Sequence, residues 1–463
     1  MHGSPIEENL MSVEAGAVVL AAGLGTRMKS ARPKVLHELG ERPMLTWAVE
    51  SARQAVEGGK LAVVVGPETR AAALDLLGGQ VTLVIQAQRL GTGHAALQAA
   101  DAMAGVPLVL VTSADMPLLR LETLRTLIAT QRGNPGPLTM LSTRTDSPRG
   151  FGRIIRDASG GVRAIVEEAV ATPEQLLLRE VNVGAYCVRG EWLWRALARL
   201  PLSPKGEYYL TDLVGLAVDE GGSVAVVESQ DHDEVIGVNT REHLAEAEAA
   251  LRLRTQRRWM LAGVTLQDPA STYVGPEVVL GADTTLLANT HLEGRTTIGV
   301  GCRLGPNTII RDSAIGDGCT VESSVVEGAR LDEQVDIGPF AHLRSGAHLM
   351  RGVHMGNFGE VKDSTLGPGT KMGHFSYVGD AEIGAKVNIG AGTVTCNYDG
   401  EKKHPTTIGE GAFVGSDTML VAPVKLGKGA RTGAGAVVTK DVPDDSVAVG
   451  IPARVIRKLK GKG

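Results

Sequence analysis

Two groups of residues in this chain have the types and spacings that group-transfer chemistry needs. The first is Leu20-Ala21-Ala22-Gly23-Leu24-Gly25-Thr26-Arg27-Met28, followed shortly by Arg32-Pro33-Lys34-Val35-Leu36. A glycine-rich turn leaving a strand exposes backbone N–H groups that can cradle phosphate oxygens. Arg27 and Lys34 then add positive charge where a triphosphate would lie. Asp115 follows a second apolar run and offers hard oxygen ligands, although a lone carboxylate after a strand is more often a helix cap. The second group lies far downstream, where the polar stretch 395–405 (Thr-Cys-Asn-Tyr-Asp-Gly-Glu-Lys-Lys-His-Pro) breaks into a regular repeat. Loops protruding from rigid repeats are where function collects. Arg344, Lys362, His374, Tyr377 and Asn388 lie near this stretch in the register of the repeat. Taken singly, His374 reads as a turn histidine, and Arg344 and Lys362 as solvated charges.

The elements that must position these groups differ between the two halves. In the first half, short apolar runs at 17–21, 61–65, 82–85 and 108–111 alternate with helical patterns such as 46–56 and 94–103. Strand–helix alternation of this kind predicts a mostly parallel, Rossmann-like α/β sheet covered on both faces. Ligands in such folds sit beyond the carboxyl ends of the strands, which is where the glycine-rich turn and Asp115 fall. Residues 240–262 read as a Gly- and Pro-free helical connector rich in Ala, Arg and Glu.

Beyond it an aliphatic residue recurs every sixth position, at Leu280, Leu286, Leu292, Ile298, Leu304 and Ile310. The rhythm returns at Leu331, Ile337, Leu343, Leu349, Met355 and Val361, and again at Ile408, Val414, Leu420 and Leu426. A hexapeptide period predicts a parallel β-helix: one aliphatic per short strand fills a narrow prism, and coils bury one another by stacking. The domains expected are therefore 1–239, a linker at 240–262, and 263–463.

Composition narrows the partners. The 463 residues carry a net charge of −5 and only 3% aromatic residues, which argues against a nucleic-acid surface. Cys187, Cys302, Cys319 and Cys396 are scattered without metal or disulfide spacing, as expected of thiols in a reducing cytoplasm. Residues 1–14 are polar and acidic, without the pattern of a signal peptide. No apolar run approaches the roughly 20 residues of a membrane span, so a cytoplasmic protein that touches no membrane is expected.

The first motif, with its Pro-Lys continuation, resembles the signature of sugar-1-phosphate nucleotidyltransferases. Gln86-Ala87-Gln88-Arg89-Leu90-Gly91-Thr92-Gly93-His94 is similar to that family's uracil-reading loop. By this resemblance Leu20, Ala21, Ala22, Gly23, Lys34, Gln86, Gly91 and Thr92 would bind UTP. Gly152, Glu167, Asn182 and Asn239 would contact the UDP-sugar, Arg27 and Lys34 would be catalytic, and Asp115 with Asn239 would hold Mg²⁺. Three departures stand out: Ser113-Ala114 precedes Asp115 where Tyr-Gly is usual, Arg89 replaces a Gln, and Ala169 replaces a Lys.

The runs 373–384 and 388–393, with Asn397 and Tyr398, extend the likeness to the bacterial bifunctional glucosamine-1-phosphate acetyltransferase/uridyltransferases, over nearly the whole chain from Val18. That family implies a left-handed β-helix, a homotrimer and the co-substrates acetyl-CoA and UTP. His374 would be the general base, with Arg344, Lys362, Tyr377 and Asn388 holding the sugar phosphate. Asn397, Tyr398, Ser416, Ala391, Ala434 and Arg454 would meet acetyl-CoA. Two other readings stand beside it. One is a nucleotidyltransferase whose β-helix serves only assembly or control. The other is a non-catalytic assembly subunit, which would not need Arg27, Lys34, Asp115 and Asn239 together.

Overall fold

The computed structural model describes residues 15–148 and 150–459, which fall into two compact units, 1–251 and 252–463. The acidic stretch at 1–14 lies outside the described residues.

The first unit is built on a mixed sheet. From one edge its strands run Val224–Ser229, Leu138–Arg144, Glu180–Arg189, Leu108–Ser113, Ala15–Ala21, Leu61–Val65 and Thr82–Ile85. The four apolar runs read from the sequence form the parallel half. The departures from a parallel sheet are Glu180–Arg189, which runs antiparallel to the two strands flanking it in this order, and the antiparallel pair Arg153–Arg156 and Val162–Val166 that joins it from the side. Alternation explains why these strands are apolar throughout. Val18, Val64, Val109 and Val111 enter the core on one face, while Ala17, Val19, Val63 and Leu110 enter the core on the other. The helix expected at 94–103 spans only Thr92–Leu97; the chain beyond it tightens into turns in which Ala99 and Ala100 N–H groups bond three residues back.

The helix Arg241–Leu261 covers the predicted connector. In the first unit its Ala247, Ala250 and Leu251 pack with Leu39, Met44, Leu118 and Val238.

The second unit is a three-faced prism of parallel strands, two to five residues each for the most part, in sheets of 12, 10 and 9 strands. Every aliphatic position read from the six-residue rhythm points inward and is at most 6% exposed. Ile315, Val321 and Val326 continue the core where the strict rhythm lapses. Turns there are shortened by a residue and closed by left-handed Asp312, Ser323 and Gly328, which moves the next inward position forward. Register steps between stacked aliphatics are near 17, as at Leu366↔Ile383, until Ile383↔Ile408, where the step is 25. The excess is the polar loop after Val394–Cys396. Trp259 packs against the prism core. Ala453–Lys458 lies antiparallel along Ser446–Gly450 at the edge of one sheet, the only antiparallel pairing in the three prism sheets among the described residues.

Candidate active sites

In the first unit, the loops leaving the carboxyl ends of the parallel strands enclose two adjoining cavities of about 610 and 660 Å³. Both are lined by Leu20, Arg27, Thr92, Ser113, Asp115 and Asn239, so they form one cleft. One end holds Ala21, Ala22, Gly23, Lys34, Gln86 and Gly91; the other holds Gly152, Glu167 and Asn182. All the residues expected to bind nucleotide and sugar thus meet in one place.

Local packing explains the glycines. Gly25 has φ +66°, and a Cβ there would overlap the side chain of Lys34. Its absence lets Lys34 fold under the loop, where it is only 7% exposed. Lys34 Nζ donates to Asp115 Oδ2 at 2.6 Å and to Asn239 Oδ1 at 3.0 Å. Burial works against the Asp115 charge. The adjacent Lys34 ammonium and hydrogen bonds from Lys34 and Ser113 more than offset it and hold the carboxyl below its ordinary range. Ser113, one of the departures, is thus a partner of Asp115.

Gln86 is buried, and its Nε2 donates to Gly91 O at 3.1 Å. Gly91 has φ +97°, and a Cβ there would lie 2.5 Å from Tyr208 O. Thr92 Oγ1 accepts from Leu210 N at 3.0 Å, and Thr211 Oγ1 donates to Glu167 Oε1 at 3.0 Å. Residues 207–211 therefore brace both ends of the cleft, and the sequence reading missed them. Their signal was Tyr208-Tyr209 in a chain with only six tyrosines. At Gly152 a Cβ would lie 2.7 Å from Ile165 Cγ2. Asn182 Oδ1 accepts from Tyr186 OH at 3.0 Å and Gly184 N at 3.2 Å. Arg89 ties the glycine-rich loop from outside: its Nε donates to Ala22 O at 3.1 Å while its guanidinium pairs with Glu68. Ala169 lies exposed in a short 3-10 turn.

The second unit arranges its candidates in columns, because coils stack in register. Met372, Ile389 and Val414 are stacked, each followed by Gly and then by His374, Ala391 and Ser416. Ala434 continues the column one coil on, after Thr432-Gly433. The rise per coil is about 4.8 Å. His374 sits exposed on the turn between Lys371–Met372 and Ser376–Gly379. On the face entered by that turn, Arg344 and Lys362 follow the stacked Leu343 and Val361. Arg344 Nη1 donates to Glu360 Oε1 at 2.9 Å, and Lys362 Nζ lies 3.3 Å from Asp363 Oδ2.

Gly379 occupies the next position of the Lys362 column. Having no side chain, it leaves room for the Tyr377 hydroxyl and for Asn397 Nδ2, which would lie 2.7 Å from a Cβ there. Asn397 is buried and donates to Asp380 Oδ2 at 2.5 Å and to Tyr377 OH at 3.4 Å. Asp380 and Lys403 were not foreseen. The nearby Lys362 side chain, the largest of the effects on it, pulls Lys403 below the ordinary lysine range. Tyr398 is exposed, its hydroxyl donating to Gly400 O at 2.6 Å. Asn388 lies on the preceding face, beside Lys371 and Phe413 in register, and Arg454 lies on the closing strand. Both therefore belong to a different sheet of the prism from the one that carries Arg344 and Lys362.

A nucleotide-type cleft under a glycine-rich loop, and a hexapeptide prism bearing a polar insertion, define a two-site transferase. Residues 17–266 match the MobA-like NTP transferase domain family, and residues 405–440 the bacterial transferase hexapeptide family. The bifunctional protein GlmU of Heliobacterium modesticaldum is 46% identical over 94% of this chain and 94% of its own. Those of Carboxydothermus hydrogenoformans and Methylococcus capsulatus are 45% and 46% identical over 93% and 94% of this chain, and over 96% and 95% of theirs. The chain belongs to the GlmU family, as a left-handed β-helix enzyme with uridylyltransferase and acetyltransferase activities.

Proposed function

We propose that the two activities divide between the two sites. The enzyme transfers acetyl from acetyl-CoA to glucosamine-1-phosphate, then uridylyl from UTP to N-acetylglucosamine-1-phosphate. In the prism, His374 accepts a proton from the sugar amine, whose nitrogen attacks the thioester carbonyl while the CoA thiolate leaves. Arg344 and Lys362 hold the sugar phosphate, aided by Tyr377 and Asn388. Asn397 orients the reacting groups, and Ser416 stabilises the oxyanion. Ala391, Tyr398, Ala434 and Arg454 meet the coenzyme. The Asn397–Asp380–Tyr377 cluster carries this reading over that of an inert scaffold, because a scaffold has no use for a buried amide held in this way.

In the cleft, a phosphate oxygen of N-acetylglucosamine-1-phosphate attacks the α-phosphorus of UTP and pyrophosphate leaves. Gln86 with the Gly91-Thr92 backbone reads uracil; Gly152, Glu167 and Asn182 seat the sugar; Arg27 and Lys34 stabilise the developing charge. The oxygens of Asp115 and Asn239 converge on one cation, the Lys34 ammonium. That donor set fits Mg²⁺, which takes one or two protein oxygens and completes its shell with phosphates and water. Held by Asp115 and Asn239, Mg²⁺ would supply charge neutralisation at the triphosphate.

We further propose a homotrimer. Asn388 and Arg344 lie on different faces of one prism, and Phe340 and Phe358 stack in the open with centroids 5.3 Å apart. A second copy laid along that face would cover the rings and complete the site. The compartment proposed is the cytoplasm; among the described residues no helix is long and apolar enough to cross a membrane.

The test is a product assay with glucosamine-1-phosphate, acetyl-CoA, UTP and Mg²⁺, each omitted in turn. In His374→Ala, UDP-N-acetylglucosamine should vanish and return when N-acetylglucosamine-1-phosphate is supplied. Equal product from mutant and wild type would make the prism a scaffold.

A further inference from the structure

The loop that interrupts the prism is held in shape by one carboxylate. Asp399 Oδ1 accepts the backbone N–H groups of Glu401 at 2.8 Å and Lys402 at 2.7 Å, and Oδ2 meets His404 Nε2 at 2.6 Å. These backbone bonds, with the His404 contact, pull the Asp399 carboxyl far below the usual carboxylate range. Two further ties cross the loop. His404 N donates to Asn397 O at 2.7 Å, and Tyr398 pairs with Lys403 in an antiparallel bridge. Among the described residues, the side-chain hydrogen bonds of Asp399 and His404 stay inside the loop.

The two legs end on the acetyl-transfer face. One leg delivers the Asn397 amide to Asp380 and Tyr377. The other leg carries Lys403, which the bridge to Tyr398 sets beside the first leg. We infer that the Asp399–His404 pair is a positioning device for acetyl transfer, fixing the height of Asn397 and Lys403 over the Tyr377–Lys362 face without touching substrate. This rests on the assignment of the acetyl-transfer site proposed above. An exposed loop with few buried contacts opens easily unless something ties it. Displacing an orienting group by about 1 Å costs on the order of a hundredfold in rate. The imidazole donates from Nε2 in either its charged form or the matching neutral tautomer. Gln can therefore replace it with an amide N–H, whereas Leu fills the volume and breaks the tie.

The experiment uses the full-length enzyme with His404→Leu, His404→Gln and Asp399→Ala. Acetyl transfer, uridylyl transfer and thermal melting are measured on each preparation. His404→Leu and Asp399→Ala should lower kcat for acetyl transfer about ten- to hundredfold and raise KM for glucosamine-1-phosphate. Uridylyl transfer and the melting point should stay at wild-type values, and His404→Gln should recover most of the loss. A wild-type kcat in His404→Leu, or a loss in His404→Gln as large as in His404→Leu, overturns the inference. Should Asp399→Ala not fold, the two His404 variants decide alone. His374→Ala runs alongside: acetyl transfer surviving there would sink the site assignment itself, a different failure.

Discussion

Gly25→Ala isolates what the glycine-rich loop does. At φ +66° an L-residue costs roughly 1–2 kcal/mol. The new Cβ would also overlap Lys34 Cβ, with Lys34 Cγ at 3.2 Å and Cδ at 3.3 Å from it. Against an ordinary carbon–carbon contact of about 3.5–4.0 Å, the loop or the lysine must yield by roughly 1 Å. Lys34 is bound at 2.6 Å to Asp115 and 3.0 Å to Asn239, so a shift of that size breaks at least one of these bonds. A misplacement of about 1 Å corresponds to about a hundredfold in rate, or roughly 2.7 kcal/mol of barrier. The assay is kcat/KM for uridylyl transfer, with acetyl transfer on the same preparation as an internal control. We expect a loss of about two decades in the first and none in the second. Gly23→Ala is the contrast, because a Cβ there meets nothing within 4 Å and points into open space. It should fold normally. If Gly25→Ala kept uridylyl transfer within about threefold of wild type, the claim that this glycine exists to seat Lys34 would be wrong.

Two further outcomes follow from buried groups. Glu180 is held below its usual range by the bidentate Arg156, whose Nη2 and Nε lie 2.5 and 2.8 Å from its oxygens. Because the folded value is depressed, this stabilisation is complete above the ordinary glutamate range and fades as pH falls through the folded value. Glu180→Gln should therefore lower stability by about 1–2 kcal/mol at neutral pH, discounted because Arg156 is 34% exposed. In melts taken stepwise below pH 4.5, the gap from wild type should narrow; a constant gap would refute the assignment. Thiol titration offers the other check. Cys187, Cys302 and Cys319 are buried, and burial pushes Cys187 and Cys319 up to about 12. Native protein should show at most one prompt thiol, Cys396, and all four only in denaturant; three prompt thiols would mean the prism opens readily.

What the sequence disclosed depended on how local the physics was. The four parallel strands were legible as continuous apolar runs because both faces are buried, and the stacked aliphatics because burial recurs once per short strand. Ile315, Val321 and Val326 escaped because a turn shortened by one residue resets the count without changing the core. Glu180–Arg189 gave no sign of its antiparallel course, since a strand buried on both faces looks alike in either direction. At the sites, residue types were visible but their partners were not. Lys34, Asp115 and Asn239 are 81 and 205 residues apart along the chain from the lysine, and nothing in any one segment announces the meeting. Gly379 is harder still, because its contribution is the side chain it lacks. The Glu207–Thr211 brace and Asp380 act by holding Thr92, Glu167 and Asn397, distant in sequence, and such holding leaves no motif.

A stack of like rungs contains no instruction to stop. Each coil of the prism offers its successor the same row of backbone donors and acceptors, so the final coil could receive the first coil of another molecule. The reversed strand Ala453–Lys458 closes the edge of one of the three sheets: it pairs with Ser446–Gly450 in the opposite sense and sets Arg454, Arg457 and Lys458 outward. On that face the reversed strand leaves no parallel edge for a further coil to continue. The same strand carries Arg454, proposed above to meet the coenzyme, so removing it would test the capped edge and that proposal together.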